Sequence, residues 1–308
     1  MKPIVVVGSI NMDLVTQVER IPRPGETLTG CGFQTHSGGK GANQAVAVAR
    51  LGYPCVLLGA VGEDVFGQEL LASLRGYGVN TAKVTRVPGP SGTASIAVSA
   101  TGENSIIVSP GANAHVTTDY LMRNKDLFRE AGMVLSQLEV PLETVQALAL
   151  LCSEHKIPLM LDPAPACTLN SSILKNVQWF TPNQTEAEFY AGDGSPEEIL
   201  NKLFAHGIRK VVLKRGGDGA LIASAEGMRC CTEAFKVATR DTTAAGDAYN
   251  GAFAVALMRE YSIPECARFA AAAAAISVTR HGAQPSLPTQ DEVEAFLDSV
   301  SEASVAEN

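Results

Sequence analysis

A chain of 308 residues, 46% apolar and 18% charged, is long enough to bury roughly 75% of its unfolded surface, and its composition excludes disorder and a collagen-like repeat. Lys and Arg number 24 against 32 Asp and Glu, a net charge of -8 that disfavours nucleic acid as a partner. The seven cysteines are scattered without a C-x-x-C pair and are expected as reduced thiols of a cytoplasmic protein. The first residues carry no signal-peptide core, and the longest apolar stretch elsewhere, Phe269 to Ile276, falls far short of the roughly 20 residues of a membrane span.

Short apolar runs alternate with helical patterns, which predicts crossover units and a largely parallel sheet, an α/β fold. The runs at 4–8, 55–61, 133–138, 158–162, 178–183 and 210–216 are each bounded by Gly, Pro or polar residues and suit buried strands. Helices are expected over 41–51, about 65–76, 141–154 and 197–206. Two nearly all-apolar helices are expected at 245–259 and 264–280. Residues 12–19 with 28–36, and 93–99 with 104–108, are predicted hairpins. Such segments cannot build a core of their own, so they are expected as a small β flap over the active edge of a single domain spanning 1–308, able to close on a ligand or pair with another subunit. The last eight or so residues are expected to fray.

The segment GSINMDLV (8–15) ends the first strand with a lone Gly8, which lacks the G-x-G-x-x-G of a dinucleotide fold and disfavours a nicotinamide dehydrogenase. Asn11 and Asp13 share one strand face and suit either vicinal hydroxyls or a local Asx turn. SGGKGANQ (37–44) opens a helix with Gly38, Gly39 and Gly41, leaving Lys40 and Asn43 in its first turn; it is not a Walker loop, and its glycines could serve only packing. Glu139, Asn183 and Glu186 follow strands at the carboxyl edge, where open α/β sheets bind ligands. LKRGGDGAL (213–221) supplies a glycine turn that either wraps a nucleotide or joins a hairpin. DTTAAGDAYNGA (241–252), preceded by a strand-like FKVA, places the amides of Ala244, Ala245, Gly246 and Asp247 at a helix N-terminus, an anion site for phosphate. A carboxylate there either takes a proton from an attacking hydroxyl, organises a cation, or merely caps the helix. His281, in TRHGAQPS (279–286), is expected at the surface.

In this order, SGGKGANQA and DTTAAGDAYNGA, joined by GSINMD, QLE, TPNQTE and GAQPS, resemble the ribokinase family of sugar and nucleoside kinases across essentially the whole chain. GKGANQA and GAQPS are most similar to its ribose-phosphorylating branch. The resemblance implies a three-layer α/β/α sandwich with a β-sheet lid, and ATP-dependent phosphorylation of D-ribose at its 5-hydroxyl. Kinases for deoxyribose, another pentose, a ketohexose or a nucleoside are the alternatives, and a non-catalytic sugar or nucleotide sensor a more distant one. It implies Asp247 as the base, with the Ala244, Ala245 and Gly246 amides completing the anion hole. Sugar contacts are implied for Asn11, Asp13, Gly39, Lys40, Asn43 and Glu139. Nucleotide contacts are implied for Asn183, Lys214, Arg215, Gly216, Gly217, Asp218, Gly219 and Gly246. Magnesium held through water by Asn183 and Glu186, and potassium held by Asp241, Thr243, Ser277, Arg280, Gly282 and Ser286, are implied as well, as is a homodimer paired through the lid. Three positions depart from the family pattern: Ala244 and Ala271, where relatives often have Gly and a polar residue, and Gln184, where a Glu is common.

Overall fold

The computed structural model describes residues 1–306, with side chains through Ser301. Its strands are β1 (Ile4–Val7), β2 (Asn11–Gln17), β3 (Gly32–Gly38), β4 (Cys55–Gly62), β5 (Val84–Val87), β6 (Gly92–Val98), β7 (Asn104–Ser109), β8 (Met133–Ser136), β9 (Leu159–Leu161), β10 (Trp179–Phe180), β11 (Lys210–Lys214), β12 (Ala220–Ser224) and β13 (Arg229–Thr232). Its helices are α1 (Lys40–Arg50), α2 (Val65–Gly76), α3 (Thr118–Arg123), α4 (Asp126–Glu130), α5 (Leu142–Glu154), α6 (Ser171–Leu174), α7 (Gln184–Ala191), α8 (Pro196–Ala205), α9 (Ala245–Met258), α10 (Ile263–Ser277) and α11 (Gln290–Ala306).

Nine strands form one sheet in the order β13-β12-β11-β10-β9-β8-β1-β4-β5, parallel from β5 to β11 and antiparallel at β12 and β13. In β1, alternate residues point to opposite faces, as a strand requires. Ile4 and Val6 join a core with α1, α9 and α10, whereas Val5 and Val7 join a second core with α5 and α8. Both faces are covered, which is why these strands are continuous β-branched and aliphatic runs rather than alternating ones.

The second sheet, β3-β2-β6-β7, contains both predicted hairpins, β2 with β3 and β6 with β7, joined by parallel pairing of β2 with β6. Every residue of β7 is exposed.

Some expectations change. FKVA (235–238) forms no strand; β13 ends at Thr232, and Phe235 and Val237 instead line a cavity. The turn after β11 joins a hairpin to β12, as one of its two sequence readings expects, and it lines that same cavity. Of the eight or so residues expected to fray, 301–306 are helical at the close of α11 and the last two lie outside the described residues.

Candidate functional site

The parallel strands deliver Ser9, Gln137, Asp162, Asn183 and Lys214 to one edge of the sheet: Lys214 ends β11, and the others lie within three residues of the carboxyl ends of β1, β8, β9 and β10. The α1 and α9 N-termini arrive at the same edge. Gly39 sits at α1's N-cap with φ 89, and a Cβ there would come 2.7 Å from the Asn11 amide nitrogen, so the turn into α1 needs glycine on both counts.

Asp247 lies in the first turn of α9, only 6% exposed. It does not cap its own helix. Its Oδ2 accepts from Asn43 Nδ2 at 3.0 Å and its Oδ1 from Gln44 Nε2 at 3.0 Å, both side chains on α1. Burial pushes the carboxyl up to about 6; the Lys40 ammonium and the two amide donors oppose that rise, and neighbouring Asp162 adds to it. Asn43 Oδ1 is buried without a partner among the described residues, an acceptor left for a ligand hydroxyl.

Ala244 has left-handed backbone angles, φ 59, a conformation that favours glycine. The expected anion hole needs one correction: the Ala245 amide turns back to the Thr242 carbonyl at 3.2 Å. The amides of Ala244, Gly246 and Asp247 have no partner among the described residues. A Cβ at Gly246 would lie 3.4 Å from Lys214 Nζ, so an ammonium group stands beside these amides. Lys214 Nζ also pairs with Asp162 Oδ1 at 3.0 Å.

On the side of the second sheet, Asp13 of β2 presses on Gly38, where a Cβ would fall within its carboxylate. Burial pushes the Asp13 carboxyl up to about 7, reinforced by Glu139 and Asp247 and opposed by Lys40. Glu139 Oε2 accepts from Ser9 Oγ at 2.5 Å, the Lys40 amide at 3.2 Å and Asn11 Nδ2 at 3.4 Å. Asn11 Oδ1 takes Asn113 Nδ2 at 2.6 Å, so the fold itself uses both ends of that side chain. Burial works against charge on Lys40, but Asp247, Asp162, Glu139 and Glu186 together raise its pKa.

Beyond Asp247 opens a cavity of about 470 Å3, reached by Lys214, Ala245 and Gly246 and walled by Gly216, Gly217, Phe235, Val237, Tyr249 and Ala271. Its size and largely apolar wall fit a nucleoside. Ala271, one of the three departures, is part of that wall. Asn183 and Glu186 form a capping box on α7, each side chain bonded to the other residue's amide at 2.8 Å. Burial raises the Glu186 carboxyl, with Asp162 adding to it. Gln184 donates to Glu188 at 2.6 Å, and Arg215 to the Asp218 carbonyl at 2.9 Å.

Behind α9, Asp241 ties two loops together through the amides of Thr243 and Gly282, each at 2.9 Å. Burial would raise its carboxyl, but the Thr243 hydroxyl and these two amides hold it below its usual value. Ser277 and Ser286 donate to the carbonyls of Ala274 and Ala283, and Arg280 is paired with Glu292. His281 is exposed, as expected.

Residues 1–290 match the pfkB family of carbohydrate kinases. The chain belongs to this family. It is 41% identical to the ribokinase of Bacillus subtilis, covering 96% of this chain and all of that protein, and 38% identical to that of Haemophilus influenzae, covering 96% and 99%. Among solved structures, ribokinase from Thermotoga maritima superposes with a TM-score of 0.89 at 38% identity, covering 97% of this chain and 100% of that one. Ribokinase from Arabidopsis thaliana, complexed with ribose and ATP, also gives 0.89, at 35% identity and 96% and 98% coverage. Asp247 stands at the carboxyl edge of the sheet, with α1 side chains on one flank and the cavity on the other. Sequence reasoning missed Gln44, Gln137 and Asp162. The first lies inside the quoted motif GKGANQ, and the other two follow strands in the runs MVLSQL and PLMLD, so position beyond a strand end was the available signal.

Proposed function

We propose that this carbohydrate kinase transfers the γ-phosphoryl group of ATP to the 5-hydroxyl of D-ribose, releasing ADP and ribose 5-phosphate. The observation that carries the reading is the buried Asp247 carboxylate set directly beside the unpartnered amides of Ala244, Gly246 and Asp247. Phosphoryl transfer asks the protein for positioning and for compensation of charge on the moving group, and this arrangement offers both. Asp13, Asn43 and Glu139 orient the sugar with Gly39 and Lys40 lining its site, while Asn11 holds Glu139 in place. Asp247 takes the hydroxyl proton as the oxygen attacks phosphorus. The free amides and Lys214 gather the charge that develops on the phosphoryl oxygens. The β11–β12 turn and the neighbouring apolar wall receive the base and ribose of ATP.

The residues present fit magnesium: oxygen donors stand where carboxylates crowd, and Glu186 keeps Oε1 without a protein partner among the described residues. Asn183 and Glu186 would hold it, largely through water, and when bound it neutralises phosphate oxygens. The loops that Asp241 joins through the Thr243 and Gly282 amides would suit potassium, which Asp241, Thr243, Ser277, Arg280, Gly282 and Ser286 would hold, mostly through carbonyl oxygens. Such an ion would brace the anion hole from behind. The β2-β3-β6-β7 sheet serves as a lid that excludes water, ATP's competing acceptor. Its outer strand exposes Ile106, Ile107 and Val108, which supports homodimer pairing through the lid. Seven free cysteines support a cytoplasmic setting. Among the described residues no helix is long and apolar enough to cross a membrane.

A panel of sugars and nucleosides, assayed for ADP release with ATP and magnesium in potassium or sodium, tests the reading. Ribose is expected to give the highest kcat/KM, with activity depressed in sodium. A preference for deoxyribose would move the chain beside its curated relative, the deoxyribokinase of Salmonella typhi, 34% identical to it over 96% of this chain. Indifference to the cation would remove potassium from the account.

A further inference from the structure

One amide group, Gln44 Nε2, donates to two carboxylates at once, Asp247 Oδ1 at 3.0 Å and Asp162 Oδ2 at 3.1 Å. Gln44 is 1% exposed and cannot turn its amide over without presenting its oxygen to both carboxylates and its nitrogen to Gln137 Nε2, which now donates to Gln44 Oε1 at 2.7 Å. Gln137 is itself fully buried after β8 and packs against Gly8, where any Cβ would collide with its Oε1. The second oxygen of Asp162 holds Lys214, the ammonium beside the anion hole. A single chain of contacts therefore runs Gln137, Gln44, Asp247 and Asp162, Lys214, from the floor of the sugar side to the phosphate side.

We propose that Gln44, clamped by Gln137, is a positioning residue for phosphoryl transfer: its amide fixes the orientation of Asp247, keeps that carboxylate ionised, and ties it to the Asp162–Lys214 pair.

Two carboxylates in a buried site repel, and each favours protonation of the other. Neutral N–H donors between them relieve that repulsion without adding a charge that would have to be removed when the proton arrives. The groups facing Asp247 are Lys40 from α1, Asp162 from the end of β9 and, from the lid, Asp13, with Lys214 reaching it through Asp162. Lys40 supplies the one direct cationic counterweight, and Gln44 and Asn43 supply the neutral ones. The inference rests on Asp247 being the base, so its test carries that residue as a control.

The experiment is the pH dependence of kcat/KM for ATP at saturating ribose, for wild type, Gln44→Met, Gln137→Met and Asp247→Asn, with ribose affinity measured separately by calorimetry. Gln44→Met keeps the side-chain length and deletes the donor. Its acid limb is expected to move up by about one pH unit, the scale of one hydrogen bond to a charged carboxylate, with ribose affinity changed little. Gln137→Met frees the Gln44 amide and is expected to move the limb in the same direction by less. An unmoved limb in Gln44→Met overturns the inference; if that variant does not fold, an unmoved limb in Gln137→Met does so. Wild-type-like turnover in Asp247→Asn would instead overturn the base itself, so the two failures are distinguishable.

Discussion

Asp247 carries the account because three opposing influences meet on one carboxyl. Burial raises its proton affinity, Asp162 adds to the rise, and Lys40 with the amides of Asn43 and Gln44 resists it, leaving the group at about 6. A base with that proton affinity is mostly free at neutral pH yet strong enough to accept a proton in the transition state. The sign for activity follows directly: protonation removes the base, so Asp247 contributes a fall in kcat/KM as pH drops through about 6. A pH–rate profile is expected to show this acid limb, well above that of an ordinary aspartate near 4. Full activity retained at pH 4.5, roughly 1.5 units lower, would mean that Asp247 is not the group titrating.

The same carboxylate depends on how closely α1 and α9 approach. A Cβ at Gly251 would come 2.6 Å from Ala47 Cβ, and that lack of a side chain lets two α1 amides reach across to Asp247. Gly251→Val is expected to push the helices apart, lowering stability by about 1–3 kcal/mol as overpacking does and lowering turnover with it; thermal unfolding and ADP release measure the two effects. Much of this was legible beforehand. The helix expected at about 65–76 forms over Val65–Gly76, where the Asp64 side chain caps its start by accepting from the Gly67 amide. The two apolar helices at 245–259 and 264–280 were legible from their small, continuous apolar runs. Gln44 was not, because α1 is buried along nearly its whole length and a polar residue in it has no face to declare which neighbour it meets. Asp162 was hidden for a different reason: a single acid after a strand has no spacing to read, and its meaning comes from Gln44 and Lys214, which lie 118 and 52 residues away in sequence. The strand expected over 235–238 failed because apolar residues there meet a cavity rather than a neighbouring strand.

Considered as one body, the chain puts its two cores on opposite faces of the sheet and keeps its charged chemistry at a single edge. Only three residues separate β1 from β2, so Asp13 comes to that edge on a strand that also builds the second sheet. The most direct measurement compares Asp247→Asn with wild type in ribose-dependent ADP release at saturating ribose and ATP, with ribose binding followed in parallel. Turnover is expected to fall roughly 100- to 10,000-fold or more while the fold and ribose affinity persist, and a variant turning over within about threefold of wild type would contradict the account.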